Sequence, residues 1–161
     1  MKILIFSDSH GFDRNMKKAI SLHPDAEVIV HLGDGVSEFE ALRLADPGRA
    51  YVPVRGNCDL FLSGEPKETT LDLDGVRLFL THGAGDSVVS LSEKARAKNA
   101  DAALFGHTHC RFDSYIRDEG EEKGVHLFNP GSISRPRDGV IPSFGILSIR
   151  NKQMLFSHGN V

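Results

Sequence analysis

The sequence predicts a mixed α/β (α+β) fold, specifically a four-layer αββα sandwich of two mixed β-sheets flanked by helices. Strands and helices alternate over the first two thirds of the chain, which favours sheets with helices packed outside them. From Arg111 onward the chain shows strand patterns alone, so the sheets should be mixed and not purely parallel. We expect residues 1–161 to form one domain, because the length is ordinary for a domain and no linker or repeat interrupts the chain.

The first part of the chain predicts three strands and two helices. The strands are short apolar runs of the kind found in buried strands, and the helices show helical apolar spacing or a start signal. In order, these elements are strand 3–6, a helix from about Phe12 that ends at His23-Pro24, strand 28–32, helix 37–44 and strand 50–54. The second helix opens on a capping-box pattern at Ser37. Pro53 favours a sheet edge or a bulge for the third strand, because proline cannot donate a ladder hydrogen bond.

The rest of the chain predicts seven strands and one helix. Asp74-Gly75 is a strong hairpin signal between two strand patterns, and Val88, Leu91 and Ala95 mark one face of the helix. In order, these elements are strands 67–73 and 76–81, helix 87–98, and strands 102–105, 112–116, 125–128, 144–149 and 154–157. The polar stretch 117–124 predicts a solvated turn.

The composition argues against several classes of protein. A net charge of -3 lacks the clustered cations of a duplex-binding surface, so we expect no duplex nucleic-acid partner. Two cysteines are too few for a disulfide framework, and no apolar run is long enough to cross a membrane. The first residues read as a strand and not as a signal peptide, so we expect a cytoplasmic location and no membrane partner.

Candidate metal ligands follow five of the predicted strands, at the point where each strand ends. These strand ends read Asp8-Ser9-His10, Gly33-Asp34, Gly56-Asn57-Cys58-Asp59, Thr81-His82-Gly83 and Gly106-His107-Thr108-His109. Each fragment alone is an ordinary turn or cap. Ligand sites in α/β sheets, however, gather at the carboxyl ends of strands. Their conjunction therefore predicts one polar site built from two aspartates, one asparagine and four histidines.

This set of side chains suits a pair of divalent ions. Two ions about 3.5–4 Å apart can hold a hydroxide between them and polarise phosphoryl oxygens, so that both the attacking and the leaving oxygen are stabilised. Nitrogen and oxygen ligands without thiolate favour Mn²⁺, Fe, Zn²⁺ or Ni²⁺ over Ca²⁺, whose sites are all oxygen. We therefore expect two divalent metal ions per chain, with Mn²⁺ as the first choice.

The ordered motifs resemble those of the calcineurin-like metallophosphoesterase superfamily. They are Asp-x-His, Gly-Asp, Gly-Asn-x-Asp, His-Gly and Gly-His-x-His, in that order along the chain. The short length, the Gly-Asn-Cys-Asp form and Asn129-Pro130-Gly131-Ser132 are similar to the small YfcE-type phosphodiesterases of bacteria and archaea. The resemblance runs from Ile3 to about Ser134. It implies the αββα fold and hydrolysis of a phosphate ester, in the first place a phosphodiester.

The resemblance also implies a role for each candidate residue. The first metal would be held by Asp8, His10 and His109, the second by Asn57, His82 and His107, and Asp34 would bridge both. Asn57 would also touch the substrate phosphate, so Asn57, Asp34 and His82 are the expected catalytic residues. No protein nucleophile is expected, because a hydroxide that bridges the two ions would attack the phosphorus.

Cys58 departs from many members of the superfamily, in which a histidine contacts the phosphate and can protonate the leaving oxygen. A neutral thiol is a weak donor, so we expect poor general-acid catalysis and a preference for good leaving groups. Cys58, Asp59 and Arg135 are the predicted substrate contacts, although packing of Cys58 and solvation of Arg135 are open alternatives. His31 lies inside a strand and is predicted to support the core or the ligands. The segment that begins at Asn129 is predicted to form a turn that brings backbone N–H groups near the site.

Two other functions fit parts of this pattern. A non-catalytic interaction scaffold like the retromer subunit Vps29 has a similar fold and length, but such scaffolds have lost part of the ligand set that is complete here. A DNA nuclease of the same superfamily would add a capping domain for which the chain has no room. The expected substrate is a small phosphodiester or a nucleotide-like molecule, and a homo-oligomer is left open.

Overall fold

A computed structural model describes residues 1–59, 64–120 and 122–161 of the chain. Within these ranges it contains three helices and ten strands. In chain order they are β1 (Lys2–Phe6), α1 (Arg14–Leu22), β2 (Val28–His31), α2 (Val36–Ala45), β3 (Ala50–Pro53), β4 (Glu68–Leu73), β5 (Val76–Thr81), α3 (Val88–Ala97), β6 (Ala102–Leu104), β7 (Arg111–Ile116), β8 (Val125–Pro130), β9 (Ser143–Arg150) and β10 (Gln153–Asn160). Every predicted strand and helix is confirmed. The predicted turn at 117–124 includes residue 121, which lies outside the described residues.

The first sheet has the strand order β10-β9-β1-β2-β3. Its strands β1, β2 and β3 are parallel, while β9 and β10 extend the sheet in antiparallel fashion. Helices α1 and α2 connect the parallel strands and pack on this sheet through buried residues such as Met16, Ala19 and Phe39. Pro53 ends β3, which is an edge strand as predicted, so no neighbour needs the missing N–H group.

The second sheet has the strand order β4-β5-β6-β8-β7. Strands β5, β6 and β8 are parallel, and β4 and β7 pair with them in antiparallel fashion. Helix α3 packs on this sheet through Leu91 and Ala95, which share a buried cluster with Phe79 and Ala103. The hairpin predicted between β4 and β5 is confirmed by the register of the two strands, which places Leu73 opposite Val76.

The largest apolar cluster lies between the two sheets. Ile5 and Val30 of the first sheet belong to the same buried cluster as Leu80, Leu104 and Phe128 of the second, and none of these side chains is exposed. Separate clusters join each sheet to its helices. The layers are therefore helix, sheet, sheet and helix, which confirms the predicted αββα sandwich. None of the described helices has the length and apolar character needed to span a bilayer.

The start of α2 differs from the prediction. The helix begins at Val36 with Gly35 as its N-cap, so Ser37 already lies inside the first turn and the predicted capping box does not form. The N–H groups of Gly35 and Val36 donate instead to Oδ1 of Asp59, at 2.8 and 2.9 Å. A side chain that follows β3 thus satisfies the free donors of α2, which a local sequence pattern cannot reveal.

Candidate metal centre

The five predicted strand ends converge on one site. The loops after β1, β2 and β3 belong to the first sheet, and the loops after β5 and β6 belong to the second. The shortest side-chain contacts are His10 Nε2–His109 Nε2 at 3.1 Å, His109 Nε2–Asp8 Oδ1 at 3.3 Å, His82 Nε2–Asp34 Oδ2 at 3.4 Å and His82 Nε2–Asn57 Oδ1 at 3.0 Å. The ring of His107 lies 5.2 Å from that of His82, centroid to centroid. The structure thus brings all seven predicted ligands together.

Most of these residues adopt an uncommon backbone conformation. The φ angle lies between 46° and 67° at Asp8, His10, Asp34, His107 and His109. A residue with a side chain in the left-handed region carries strain on the order of 1–3 kcal/mol, and such residues cluster at functional sites. Five of seven candidate ligands in this region therefore indicate loops that are held in place to aim their side chains.

The glycines of the Gly-Asn and Gly-His motifs make room for the two carboxylates. A Cβ atom on Gly56 would overlap Oδ1 of Asp34. One on Gly106 would overlap Oγ of Ser7 and lie 3.0 Å from Oδ2 of Asp8. Only a residue without a side chain lets the backbone approach this closely. The glycines in these motifs are thus required by the geometry of the carboxylates and not only by turn formation.

Two of the histidines are oriented by backbone carbonyl groups. His82 Nδ1 donates to the oxygen of Leu32 at 2.7 Å, and His109 Nδ1 donates to the oxygen of Arg135 at 2.7 Å. Because a carbonyl oxygen can only accept, each ring must carry a proton on Nδ1, and Nε2 faces the carboxylates. Metal-binding imidazoles show this arrangement, with the second ring nitrogen held by an outer partner.

The carboxylate of Asp8 is well placed to bind a divalent cation. Its side chain is fully buried and Oδ2 accepts hydrogen bonds, whereas Oδ1 has no hydrogen-bond partner among the described residues. Oδ1 lies 3.3 Å from Nε2 of His109 and 4.0 Å from Nε2 of both His10 and His82. A buried acceptor without a partner is unfavourable. Three imidazole nitrogens around such an oxygen form a donor set that suits a transition-metal ion.

The electrostatics favour ionised carboxylates at this site. Burial by itself raises the pKa of Asp8, but the close approach of the His109 ring and the charge of His82 outweigh burial and lower the pKa. Burial also raises the pKa of Asp34, and contacts with His82 and the N–H group of Cys58 lower it well below the usual range. Both residues are therefore carboxylates at neutral pH, the form that a metal ligand must take.

Asp59 fixes the loop that carries Asp34. Its carboxylate oxygens accept hydrogen bonds of 2.8–2.9 Å from the backbone N–H groups of Asp34, Gly35, Val36 and Gly56. These bonds tie the end of β2 to the end of β3 and cap α2 at the same time. The structure therefore gives Asp59 a positioning role, whereas its predicted contact with substrate stays a prediction.

A second set of hydrogen bonds joins the loops after β1 and β2. Gly33 N donates to His31 Nδ1 at 3.2 Å, so the proton of the neutral ring is on Nε2, which lies 2.9 Å from Ser9 Oγ. Ser9 Oγ and the N–H group of Gly11 both donate to Glu38 Oε1, each at 2.6 Å. Burial lowers the pKa of His31 to about 4, which keeps the ring neutral.

This network confirms the prediction that His31 supports the core or the ligands. Sequence analysis missed Ser9 and Glu38, because 29 residues separate them and no motif spacing links a strand end to a distant helix. The only available signal was an acidic side chain in the first turn of α2.

The segment that begins at Asn129 supports the site with side chains. Asn129 Nδ2 donates to the oxygen of Gly106 at 2.8 Å, and Ser132 Oγ donates to the oxygen of Asp8 at 2.8 Å. The N–H group of Gly131 donates to Asn129 Oδ1 within the segment. This bond occupies the N–H donor of Gly131, and the predicted approach of backbone N–H groups from this segment to the site stays a prediction.

Cys58 and Arg135 line an open cavity of about 330 Å³ beside the candidate ligands. The Cys58 side chain is exposed, and its backbone N–H donates to Asp34 Oδ1 at 2.7 Å. The guanidinium of Arg135 lies 5.4 Å from the ring centroid of Phe12 and has no hydrogen bond or ion pair within the described part of the chain. Both side chains thus border open space beside the candidate ligands, and their contact with a substrate stays a prediction.

Comparison with known proteins gives one consistent result. The calcineurin-like phosphoesterase superfamily domain matches residues 1–152. The chain is 32% identical over 158 residues to the probable metallophosphoesterase YsnB of Bacillus subtilis. This match covers 94% of this chain and 86% of YsnB. The structure of the phosphodiesterase YfcE from Escherichia coli is similar with a TM-score of 0.66 at 27% identity, over 92% of this chain and 88% of that one. Vps29 of Entamoeba histolytica, solved with zinc, shares the fold with a TM-score of 0.77 at 19% identity, over 98% and 91% of the two chains.

Proposed function

This chain belongs to the calcineurin-like phosphoesterase superfamily, and we propose that it is a phosphodiesterase of the YfcE type with two divalent metal ions. The observation that carries the proposal is the position of Asp34. Its carboxylate lies within 4.8 Å of ligand atoms of Asp8 and His82 in one group, and of His10 and Cys58 in another. One carboxylate between two groups of ligands supports a bridging role.

The proposed ligands are the seven residues that the motifs predicted. Asp8, His10 and His109 hold one ion, Asn57, His82 and His107 hold the other, and Asp34 serves both. Two divalent ions bound here would lower the pKa of a water molecule and stabilise negative charge on the phosphoryl oxygens. Mn²⁺ as the native metal and a cytoplasmic location are further parts of the proposal, and a homo-oligomer is left open.

Asn57 is proposed to contact the substrate as well as a metal ion. Its Oδ1 faces Nε2 of His82 at 3.0 Å, while its Nδ2 lies 3.4 Å from Sγ of Cys58. The amide therefore presents its oxygen to the ligands and its N–H groups towards Cys58, and Asn57 lines the neighbouring cavity of about 250 Å³. An N–H group in this position could donate to an oxygen of the scissile phosphate.

Neither Cys58 nor Asp59 is a strong general acid beside this position. A hydrogen bond to Asp34 raises the pKa of the Cys58 thiol, so the thiol is neutral and a weak donor. Both carboxylate oxygens of Asp59 already accept backbone hydrogen bonds. We therefore propose that esters with good leaving groups are hydrolysed faster, because an aryloxide leaves without the proton that an alkoxide needs.

Two cavities support a diester as the substrate. One, of about 330 Å³, borders His10 and Cys58, and the other, of about 250 Å³, borders Asn57 and His82. A phosphodiester has two organic substituents, so each could enter one cavity while the phosphate lies at the ligands. The second cavity is also lined by Lys67, which suits a substrate with a further anionic group.

A metal analysis combined with a substrate panel tests this function. We expect about two transition-metal ions per chain, and faster hydrolysis of bis(p-nitrophenyl) phosphate than of p-nitrophenyl phosphate. Chelator should abolish the activity, and Mn²⁺ or Ni²⁺ should restore it. Absence of metal binding at micromolar free Mn²⁺ would remove the proposal. Metal binding without hydrolysis of any ester or cyclic nucleotide would instead favour a scaffold, to which the likeness with the Vps29 fold lends support.

A further inference from the structure

We propose that Cys58, His10 and Asp34 form a binding site for thiophilic divalent ions such as Zn²⁺ and Cd²⁺, with the Cys58 sulfur as a metal ligand. One ligand atom from each side chain, a thiol sulfur, an imidazole nitrogen and a carboxylate oxygen, lies within 4.8 Å of the other two. Cys58 is not among the seven ligands that the family motifs imply. The thiol would therefore give this centre a second mode of metal binding.

The geometry requires only a small movement of the thiol. Zinc binds sulfur at about 2.3 Å and nitrogen or oxygen at about 2.0–2.2 Å, so ligand atoms in a tetrahedral site lie roughly 3.5 Å apart. The three ligand atoms are at most 4.8 Å apart, so a movement of the sulfur on the order of 1 Å brings them to the distances of a tetrahedral site. The Cys58 side chain is exposed and can rotate, while its backbone N–H is anchored on Asp34 Oδ1 at 2.7 Å.

The surroundings of Cys58 suit a metal-bound thiolate. When a metal binds, the S–H bond breaks, a metal–sulfur bond forms and the proton passes to solvent. The amide Nδ2 of Asn57 lies 3.4 Å from the sulfur and can donate to the thiolate. The negative charge of Asp34, which disfavours a free thiolate nearby, would be offset by the charge of the shared ion.

Ion selectivity follows from the softness of the ligands. Thiolate favours Zn²⁺ and similar soft or borderline ions, whereas Mn²⁺ is well served by oxygen and nitrogen ligands alone. Cys58 lines the cavity of about 330 Å³ that one substituent of the proposed diester would enter. With Zn²⁺ bound, the thiolate would hold a coordination position on the substrate side, so Zn²⁺ should inhibit the Mn²⁺-loaded protein. This consequence rests on the proposed phosphodiesterase function, whereas metal binding by the thiol does not.

Cobalt spectroscopy on the full chain tests the metal–sulfur bond. The other cysteine, Cys110, has its sulfur 3.4 Å from the oxygen of Thr108 and belongs to no candidate ligand group of the described residues, so Cys110→Ser is the parent variant. Cobalt-loaded Cys110→Ser should show a thiolate-to-cobalt charge-transfer band in the near ultraviolet. The band should disappear when Cys58→Ser is added. That change should also weaken Zn²⁺ binding at least about tenfold, since loss of an outer-shell partner alone costs 10–100-fold, and leave Mn²⁺ binding unchanged.

Alkylation provides a test that does not depend on the folding of a Cys58 variant. In Cys110→Ser, Zn²⁺ should slow the reaction of Cys58 with iodoacetamide, and Mn²⁺ should not. Stoichiometric cobalt binding without the band, or equal alkylation rates with Zn²⁺ and Mn²⁺, would overturn the inference and leave the proposed phosphodiesterase intact. If cobalt and zinc do not bind at all, the inference and the proposed metal centre both fail.

Discussion

Single side chains at the candidate centre are either candidate metal ligands or groups that hold those ligands in position. His82 and His109 are oriented by carbonyl oxygens at 2.7 Å. Asp34 is held through its backbone by Asp59 at 2.8 Å. A ligand and a positioning residue should respond differently to the same substitution, because only the ligand loses charge next to a metal ion.

The first prediction compares Asp34→Asn with Asp59→Asn. The amide at Asp34 removes the negative charge that both proposed ions share, so kcat/KM on a diester should fall by at least about 10–100-fold, the usual loss for an outer-shell partner. Asp59→Asn keeps one acceptor oxygen for the backbone N–H groups and should lose less. Steady-state kinetics with measured metal content decides the order. Equal activity of Asp34→Asn and wild type would contradict the ligand assignment.

The second prediction concerns the leaving group. Cys58→His should raise the rate on alkyl diesters relative to aryl diesters, because an imidazole can protonate a poor leaving group. General-acid catalysis contributes about 10²–10⁴-fold when fully developed. We expect less here, because Asp59 already binds backbone groups and cannot freely orient the ring.

A plot of rate against leaving-group pKa measures this effect, and Cys58→His should flatten it. Cys58→Ser serves as the control and should be nearly neutral towards activated aryl diesters. If Cys58→Ser abolishes their hydrolysis while both metal ions stay bound, the thiol has a catalytic task that the proposed mechanism lacks.

Among the elements, α2 connects to the candidate centre through its first turn. Asp59 caps its first residues, and Glu38 in its first turn accepts hydrogen bonds from Ser9 and Gly11 after β1. The start of α2 thus contacts the loops after β1 and β3 while the loop after β2 leads into it. Three of the five ligand loops are joined at one helix end.

The third prediction tests this helix end. Glu38→Ala removes the acceptor of two hydrogen bonds and should reduce the free energy of unfolding by about 1–3 kcal/mol. It should also weaken metal binding, because the loop with Asp8 and His10 loses its support. Glu40→Ala, in the same helix, is the matched control: Glu40 pairs with Arg43 at 2.7 Å near the surface, where such a pair contributes about 0–1 kcal/mol. If Glu38→Ala and Glu40→Ala lose equal stability in urea unfolding and equal affinity in metal titration, the proposed role of Glu38 is contradicted.

The fourth prediction concerns pH and strand β2. Burial lowers the pKa of His31 from 6.5 to about 4, so the folded state binds fewer protons than the unfolded state between these values. The contribution of His31 to the free energy of unfolding is fully present above about pH 6.5 and is lost as the pH falls through 4. We expect the metal-free protein to lose about 2 kcal/mol between pH 7 and pH 5 through this residue. The loss should be absent in His31→Asn.

Urea unfolding at the two pH values, in the presence of chelator, measures the difference between wild type and His31→Asn. His82 and His109 have raised pKa values, so their contribution has the opposite sign and is lost as the pH rises. Because both proteins share these two residues, the comparison isolates His31. An equal pH dependence in both proteins would show that the pKa of His31 does not differ between the folded and unfolded states.

On the scale of the whole molecule, the candidate centre joins the two sheets. Asp8 and Asp34 follow strands of the first sheet, whereas His82 and His109 follow strands of the second. Contacts of 3.3–3.4 Å already cross between the sheets at this point. Metal ions bound here would therefore connect the two halves of the sandwich.

The fifth prediction is that metal binding stabilises the fold. An ion that binds only the folded state adds about 2.7 kcal/mol per site when its free concentration is 100 times its Kd. Scanning calorimetry should therefore show a higher unfolding temperature with Mn²⁺ than with chelator, and a smaller difference for Asp34→Asn. Identical unfolding temperatures with Mn²⁺ and with chelator would contradict a metal centre that connects the sheets.

The sequence alone was sufficient to predict the strands and helices, the layer architecture and the convergence of seven side chains. Apolar periodicity depends on local geometry, and the carboxyl ends of parallel strands meet at one edge of a sheet. The aspartates, histidines and glycines of the five strand ends could therefore be predicted to lie together before any distance was known. Their assignment to two ions stays a prediction, because it derives from resemblance.

The tertiary structure decided which groups hold these residues in place. It replaced the capping box at Ser37 by Asp59, and it linked Glu38 to Ser9 and His31 to Gly33 through hydrogen bonds. Such contacts join residues up to 29 positions apart. A sequence pattern shows which residue types are present, but donors and acceptors become partners only when the folded backbone brings them within about 3 Å of each other.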